Sequence, residues 1–289
     1  MAQRIIITGG SGFIGTNLHL KLKKMNYKII NLDISSPKLK SLNSHWINCD
    51  IRNLKKLKKI FNSFKPNYVY HLAARTDLNG KKISEYNTNT VGTKNIIKLV
   101  SSKKYIKGFL YTSTRFVFNA DQNPQHDFDY SASTVYGKSK IISEKYFLKN
   151  LKYLPKCSVL TRPTSIWGPH FSEPYLNFFR LIKKGLYIHP TNSFIYKSFG
   201  YVENTVIQMI ELIKKNNLKK RQIYYLCDYK PYEVYSFANN ISKIFKKNKI
   251  IRVPHLLSIM VAFVGSTLNR FNYNFPLTLF RLRNMTTDS

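Results

Sequence analysis

Thr8-Gly9-Gly10-Ser11-Gly12-Phe13-Ile14-Gly15 follows an apolar run, Arg4–Thr8, and opens a segment of helical period, Phe13–Lys24. Glycines at this spacing between a strand and a helix have a mechanical reason. Gly9 permits a tight turn, Gly12 lets backbone approach a pyrophosphate, and Gly15 lets helix and strand pack closely. The helix start offers free N–H groups and the positive end of its dipole to phosphates. The run predicts a dinucleotide site at the top of a Rossmann-type sheet.

Outward from that loop, Lys28–Leu32 reads as a second strand closed by Asp33, 18 residues beyond Gly15. An acid there binds the adenosine ribose hydroxyls, and its charge repels a 2′-phosphate, which favours NAD over NADP. Asp50, at the end of a third strand, is placed to contact adenine. Strands are predicted at His45–Cys49, Tyr68–Leu72, Gly108–Thr112 and Cys157–Thr161, with helices over Asn53–Phe64, Asn89–Ser101 and Thr134–Leu151 between them. The four lysines Lys55, Lys56, Lys58 and Lys59 read as the solvated face of the first of these. This alternation predicts a doubly wound parallel α/β sheet with its ligand at the carboxyl ends of the strands. Beyond Thr161 the rhythm loosens at Pro163, Pro169 and Pro174, and strand signals return near Phe199–Val202 and Gln222–Leu226. The expectation is a NAD-binding domain over 1–163, completed by parts of 195–228, with 164–289 forming mainly a smaller substrate-binding lobe.

A chain of 289 residues with 43% hydrophobic content is ample for a core, and it carries no repeat or low-complexity tract. Cys49, Cys157 and Cys227 are far apart, which predicts free thiols in a reducing compartment and no metal site. The apolar run from Arg4 leaves no room for a signal or transit peptide, so a cytoplasmic location is expected. The longest apolar stretch, Val253–Leu268, falls short of the roughly 20 residues of a membrane span and predicts a buried or interfacial helix. Lys and Arg number 47 against 14 Asp and Glu, a net charge of +33. Coding bias toward Lys, Asn, Ile, Tyr and Phe explains the cations but not the scarcity of acids. The balance points to an acidic partner or the inner face of an anionic membrane. No basic, aromatic-interleaved module is present, so no specific nucleic-acid partner is expected.

Tyr136-Gly137-Lys138-Ser139-Lys140 lies within the predicted helix Thr134–Leu151. Four-residue spacing sets Tyr136 and Lys140 on one face, where an ammonium stabilises a phenolate and can also hold the nicotinamide ribose. Upstream, at the end of the fifth strand, Thr114, with Ser113 as second choice, offers a hydroxyl to the reacting oxygen.

Taken in order, several motifs resemble the extended short-chain dehydrogenase/reductases, specifically the NAD-dependent nucleotide-sugar epimerase/dehydratase family. They are the glycine run, His71-Leu72-Ala73-Ala74, Asn89-Thr90-Val91-Gly92-Thr93, Ser113–Phe118, the Tyr136/Lys140 pair, Arg162-Pro163, Trp167-Gly168-Pro169 and Phe199–Asn204. The resemblance covers nearly the whole chain. It implies that Tyr136 is the base and acid, Lys140 its electrostatic partner, Thr114 the supporting hydroxyl, and His71 packing near the backbone. It further implies cofactor contacts from Gly9, Gly12, Phe13, Ile14, Gly15, Asp33, Asp50, Ile51, Leu72, Ala73, Ala74, Asn89, Tyr136 and Lys140. Substrate contacts fall to Arg162 and Lys197, while Arg115, where family epimerases carry a small residue, either contacts a substrate anion or points to solvent.

Family dehydratases follow the catalytic Thr with Asp-Glu, and family decarboxylases keep the Glu; here those places hold Arg115 and Phe116. The remaining expectation is an NAD-dependent epimerase of a nucleotide-activated or lipid-linked sugar, acting at C4 through a keto intermediate. Its implied setting is cell-surface polysaccharide synthesis, with a homodimer formed through Thr134–Leu151. Phe118 replaces a family Tyr, Lys197 an Arg that grips the diphosphate, and Asn204 an Asp. The terminal stretch Phe280–Ser289 resembles a family segment that runs on further. Two alternatives stay open: a sugar or hydroxysteroid-type dehydrogenase using the same Tyr136 and Lys140, and a non-catalytic dinucleotide-binding protein with an anionic partner.

Overall fold

The computed structural model describes residues 2–119, 122, 124–171, 175–214, 223–271, 273 and 275–288. The chain divides into two compact units, one of residues 1–118, 125–170 and 200–227, the other of 119–124, 171–199 and 228–289. Pro174 and Gln222 lie outside the described residues.

The first unit alternates strand and helix in chain order. It runs β1 Arg4–Thr8, α1 Phe13–Lys24, β2 Lys28–Asp33, β3 Trp46–Asn48, α2 Leu54–Phe64, β4 Tyr68–His71, α3 Thr93–Ser101, β5 Gly108–Thr112, α4 Val135–Asn150 and β6 Cys157–Pro163. A short strand β7 (Ser165–Trp167) follows. The second unit contributes α5 Tyr175–Lys184 and β8 Tyr196–Lys197, after which β9 (Phe199–Tyr201), α6 (Val202–Lys214) and β10 (Ile223–Leu226) return to the first. The second unit ends with β11 Tyr232–Glu233, α7 Val234–Ile244, α8 His255–Arg270 and α9 Leu279–Thr286.

Seven strands form one sheet in the order β10-β6-β5-β4-β1-β2-β3, and every ladder in it is parallel. This is the doubly wound Rossmann arrangement. Both faces are covered, so the strands are apolar on both sides. Along β1, Ile6 joins Leu57, Phe61, Ile97 and Phe147 on the α2–α3–α4 face. Ile5 and Ile7 join Leu18, Leu22, Val206 and Met209 on the α1–α6 face. Direction reverses between β1 and β4, whose ends pair Thr8 with His71. That switch point opens the crevice in which such sheets bind ligands.

The sequence places the strands well and errs mainly at helix starts. Asn89–Ser101 was expected as one helix; a π-helical turn, Thr88–Gly92, precedes α3. The second unit has its own core, in which Ile182 of α5 meets Ala238 and Ile241 of α7, with Phe178, Phe179 and Phe237 around them. None of the three cysteines is in a disulfide. No helix among the described residues is long and apolar enough to cross a membrane.

Candidate active site

The loop between β1 and α1 is shaped by what its glycines touch. Gly9 has φ +75°, and a Cβ there would lie 2.5 Å from the Ala73 backbone nitrogen. A Cβ on Gly15 would lie 2.2 Å from the Gly9 carbonyl oxygen. These two positions close the loop onto Leu72-Ala73 and onto α1. Gly12 differs: a Cβ there would meet only the Gly9 oxygen, at 3.3 Å, with open space otherwise. Gly12 is also the N-cap of α1, with no side-chain cap and no acid in the first turn. The helix start therefore presents an uncapped end and an uncompensated dipole, as a pyrophosphate cradle requires.

At the end of β2, the Asp33 carboxylate accepts the Ser11 and Ser35 backbone N–H groups, both at 3.0 Å. An ionised carboxylate has about four acceptor sites, so capacity remains for a ribose diol. Asn31 donates to Ser11 Oγ at 3.0 Å, which fixes the loop against β2. Open space at Gly12, a bare helix start and a partly engaged Asp33 together fit an adenine dinucleotide. Phe13, Ile14, Leu72, Ala73 and Ala74 are half-buried, and Ile51 is buried. Asp50 is less available than the sequence suggests. Arg52 donates to both of its oxygens, the shortest contact at 2.6 Å, and holds the carboxyl below its usual range.

Asn89 is a brace. Its Oδ1 accepts the Arg75 N–H at 2.8 Å, and its Nδ2 donates to the Arg75 carbonyl and to Ser139 Oγ. The side chain thus ties the loop after β4 to α4. His71 also serves structure, its two ring nitrogens hydrogen-bonded to Thr8 (2.6 Å) and Thr93 (2.9 Å). Burial pushes its pKa down to about 3, so the ring is neutral.

The start of α4 holds Tyr136 and Lys140. Thr134 caps it by accepting the Gly137 N–H at 3.0 Å. Gly137 lets the helix press against the turn after Thr114, since a Cβ there would fall 2.2 Å from the Phe116 oxygen. Phe116 links the constellation: its N–H donates to Thr114 Oγ1 at 3.2 Å, and its ring meets that of Tyr136 edge-on at 6.3 Å. Tyr86 flanks Tyr136 from the other direction, also at 6.3 Å. Tyr136, Lys140 and Thr114 are all buried. Lys140 donates to the Thr112 carbonyl at 2.7 Å, and its Nζ stands 4.7 Å from the Tyr111 ring centroid. Burial pulls its pKa down to about 7, opposed by the Glu144 carboxylate.

One substrate expectation is corrected. Arg162 is fully buried in an ion pair with Glu144, with Nη2–Oε2 at 2.7 Å and Nε–Oε1 at 3.0 Å. It also donates to Tyr225 Oη and to the Asp127 carbonyl. Its donors are consumed inside the first unit, which leaves it no face for a substrate anion. Arg115 is half-buried, with its guanidinium 5.1 Å from the Phe118 ring centroid. Lys197 lies in the second unit, buried on β8, which pairs antiparallel with β11. Sequence reasoning missed Tyr86, Phe116 and Glu144. Glu144 had a signal, since Tyr136, Lys140 and Glu144 repeat every fourth residue on one helical face.

A family model described as "NAD dependent epimerase/dehydratase family" matches residues 5–227. Human short-chain dehydrogenase/reductase family 42E member 1 is 27% identical, over 96% of this chain and 78% of that protein. Bovine dTDP-D-glucose 4,6-dehydratase is 27% identical, over 83% of this chain and 69% of its own length. Among solved structures, UDP-glucose 4-epimerase of Thermotoga maritima with UDP-glucose superposes with TM-score 0.72 at 22% identity, covering 87% of this chain and 86% of that one. This last likeness is one of fold.

Proposed function

The chain belongs to the NAD-dependent epimerase/dehydratase family, with NAD as cofactor, and from that membership we propose that it epimerises a nucleotide-activated sugar at C4 through a keto intermediate. The observation that carries this reading is the buried polar face of α4 beside Thr114, with Arg115 and Phe116 in place of the acid pair a dehydratase needs. Bound NAD supplies the reversible oxidation of the sugar carbinol. Tyr136 takes the proton of the C4 hydroxyl and returns it after the keto sugar has presented its other face. Lys140 supports the phenolate. Burial disfavours an isolated ammonium and an isolated phenolate alike, and the pair relieves both. Thr114 donates to the reacting oxygen and fixes its position. The second unit serves as the substrate lobe, with Lys197 neutralising phosphate as a point charge and Arg115 meeting the sugar. A homodimer through α4, a lipid-linked variant of the substrate and a role in cell-surface polysaccharide synthesis belong to the same proposal.

A dehydrogenase reading draws support from Arg162. With that cation consumed internally, one expected substrate contact is gone, and the human relative named above is a dehydrogenase/reductase by name. The test is proton NMR of the protein with catalytic NAD and a panel of uridine- and guanosine-diphosphate sugars, with NADH absorbance followed in parallel. A new epimer without accumulated NADH is the expected result. An oxidised sugar with matching NADH would replace it with the dehydrogenase reading.

A further inference from the structure

Helix α8 is turned inside out. Its buried residues are Ser258, Ala262 and Gly265, spaced to form one narrow stripe. That stripe is pressed close: a Cβ on Gly265 would fall 2.1 Å from the Leu277 carbonyl and 2.3 Å from the Phe275 ring. Ser266 accepts the Leu279 N–H at 2.9 Å, tying α8 to the start of α9. On the opposite face stand Leu256 (70% exposed), Met260 (60%), Phe263 (64%) and Phe271 (70%), with Leu257 and Val264 at its margin. An amphipathic helix normally points large apolar groups at the core; here small residues face the protein and large ones face out. Leu279 and Phe280 of α9 extend the patch. Such a contiguous apolar surface marks an interaction site.

Charge selects the occupant. Between Glu233 and Asp288 the sequence holds eight Lys or Arg and no acid. Arg270, the last residue of α8, and Arg281 and Arg283, within α9, are exposed. A second copy docking through the same patch would set these cations against their own counterparts. Nucleic acid would answer the charge but leave the leucines, methionine and phenylalanines unused. An anionic bilayer satisfies both.

We propose that α8 and α9 form a membrane-docking face that lies in the interface of an anionic phospholipid bilayer. At about 1.5 Å per residue α8 is about 24 Å long, shorter than a hydrocarbon core of about 30 Å, so it lies along the surface. Its outer face sinks into the headgroup and acyl boundary, with the arginines at headgroup phosphates.

The test is flotation of the full chain with phosphatidylcholine vesicles, with or without about 30% phosphatidylglycerol, at low and high salt. The intact protein is expected to float with the anionic vesicles and to be released by salt. A chain carrying Met260→Asp and Phe263→Asp together is expected to lose at least about tenfold in partitioning while keeping the native near-ultraviolet dichroism. Both positions are exposed, so the fold tolerates the change. Failure of the intact protein to bind anionic vesicles at low salt would overturn the proposal, as would equal flotation of the double variant. A double variant that lost self-association, with no vesicle binding by either protein, would make the face a contact between copies and overturn it equally. Partitioning is read without turnover, so the result stands apart from the epimerase reading.

Discussion

Helices α4 and α8 are of equal length and break the ordinary rule of burial in opposite directions. Helix α4 hides Tyr136, Ser139, Lys140, Ser143 and Glu144. Helix α8 hides three small residues and shows its large apolar ones to solvent. Burying charged groups costs free energy unless partners meet them, and the partners are present: Thr112 for Lys140, Arg162 for Glu144. Exposing apolar groups costs free energy unless something else covers them. The contrast teaches where each helix does its work. On the reading proposed above, the buried polar face serves chemistry within one unit and the exposed apolar face serves docking to an external surface.

The harshest way to break this comparison is at Tyr136. Tyr136→Phe is expected to lower turnover by about 10²–10⁴-fold while leaving NAD affinity nearly unchanged, as steady-state kinetics and calorimetric titration would read. Near-normal turnover would detach the face of α4 from catalysis. Next comes Glu144→Gln, which leaves the Arg162 guanidinium buried without its counter-charge. A loss of about 3–5 kcal/mol in urea-unfolding stability is expected. An unchanged midpoint would mean that the pair is not held as described.

The glycine loop offers a finer cut. Gly12→Ala meets only one atom at 3.3 Å and is expected to fold with normal stability yet bind NAD more weakly, because the added methyl stands where the pyrophosphate approaches. Gly15→Ala is expected to lose stability as well, since its methyl collides with the Gly9 carbonyl. Equal thermal stability of the two variants would contradict the assignment of the open side.

Lys140 sharpens the comparison through pH. Its pKa in the folded protein is depressed by burial to about 7, against an ordinary value of 10.5. Between those values the unfolded chain binds the extra proton, so this group makes stability rise with pH across that window. Lys140→Met is expected to flatten the rise in urea midpoint between about pH 7 and 10 for the ligand-free protein. An identical slope in the variant would show that Lys140 is not titrating there. The smallest effect belongs to α8. Phe263→Asp alone is expected to shift unfolding stability by no more than about 0.5 kcal/mol, because the side chain faces solvent. A large loss would mean that α8 is covered by the protein itself.

How much of this was legible in the sequence follows from the same physics. The parallel sheet was readable because its strands are buried on both faces and separated by helices of clear period, and because the run from Thr8 to Gly15 has one mechanical explanation. Tyr136 and Lys140 were legible as a pair at four-residue spacing on one helical face, and Thr114 as a hydroxyl at a strand end; all three are buried. Arg162 was misassigned because a cation at a strand end looks the same in sequence whether it meets a substrate or a buried Glu144; only the fold supplies the partner. The outward direction of α8 was hidden for a related reason. Val253–Leu268 is apolar almost all round, so its composition leaves open which side meets the protein, and the stripe Ser258, Ala262, Gly265 gains meaning only once Phe275 and Leu277 lie against it.

The most direct test of the central claim uses a nucleotide sugar that turns over in the panel, carrying deuterium at the oxidised carbon, with NAD present in catalytic amount. Oxidation and return on one bound cofactor predict that the label is retained at that carbon in the epimer, with none in solvent and none in free NADH. Deuterium released to water, or collected stoichiometrically in NADH beside an oxidised sugar, would contradict the account.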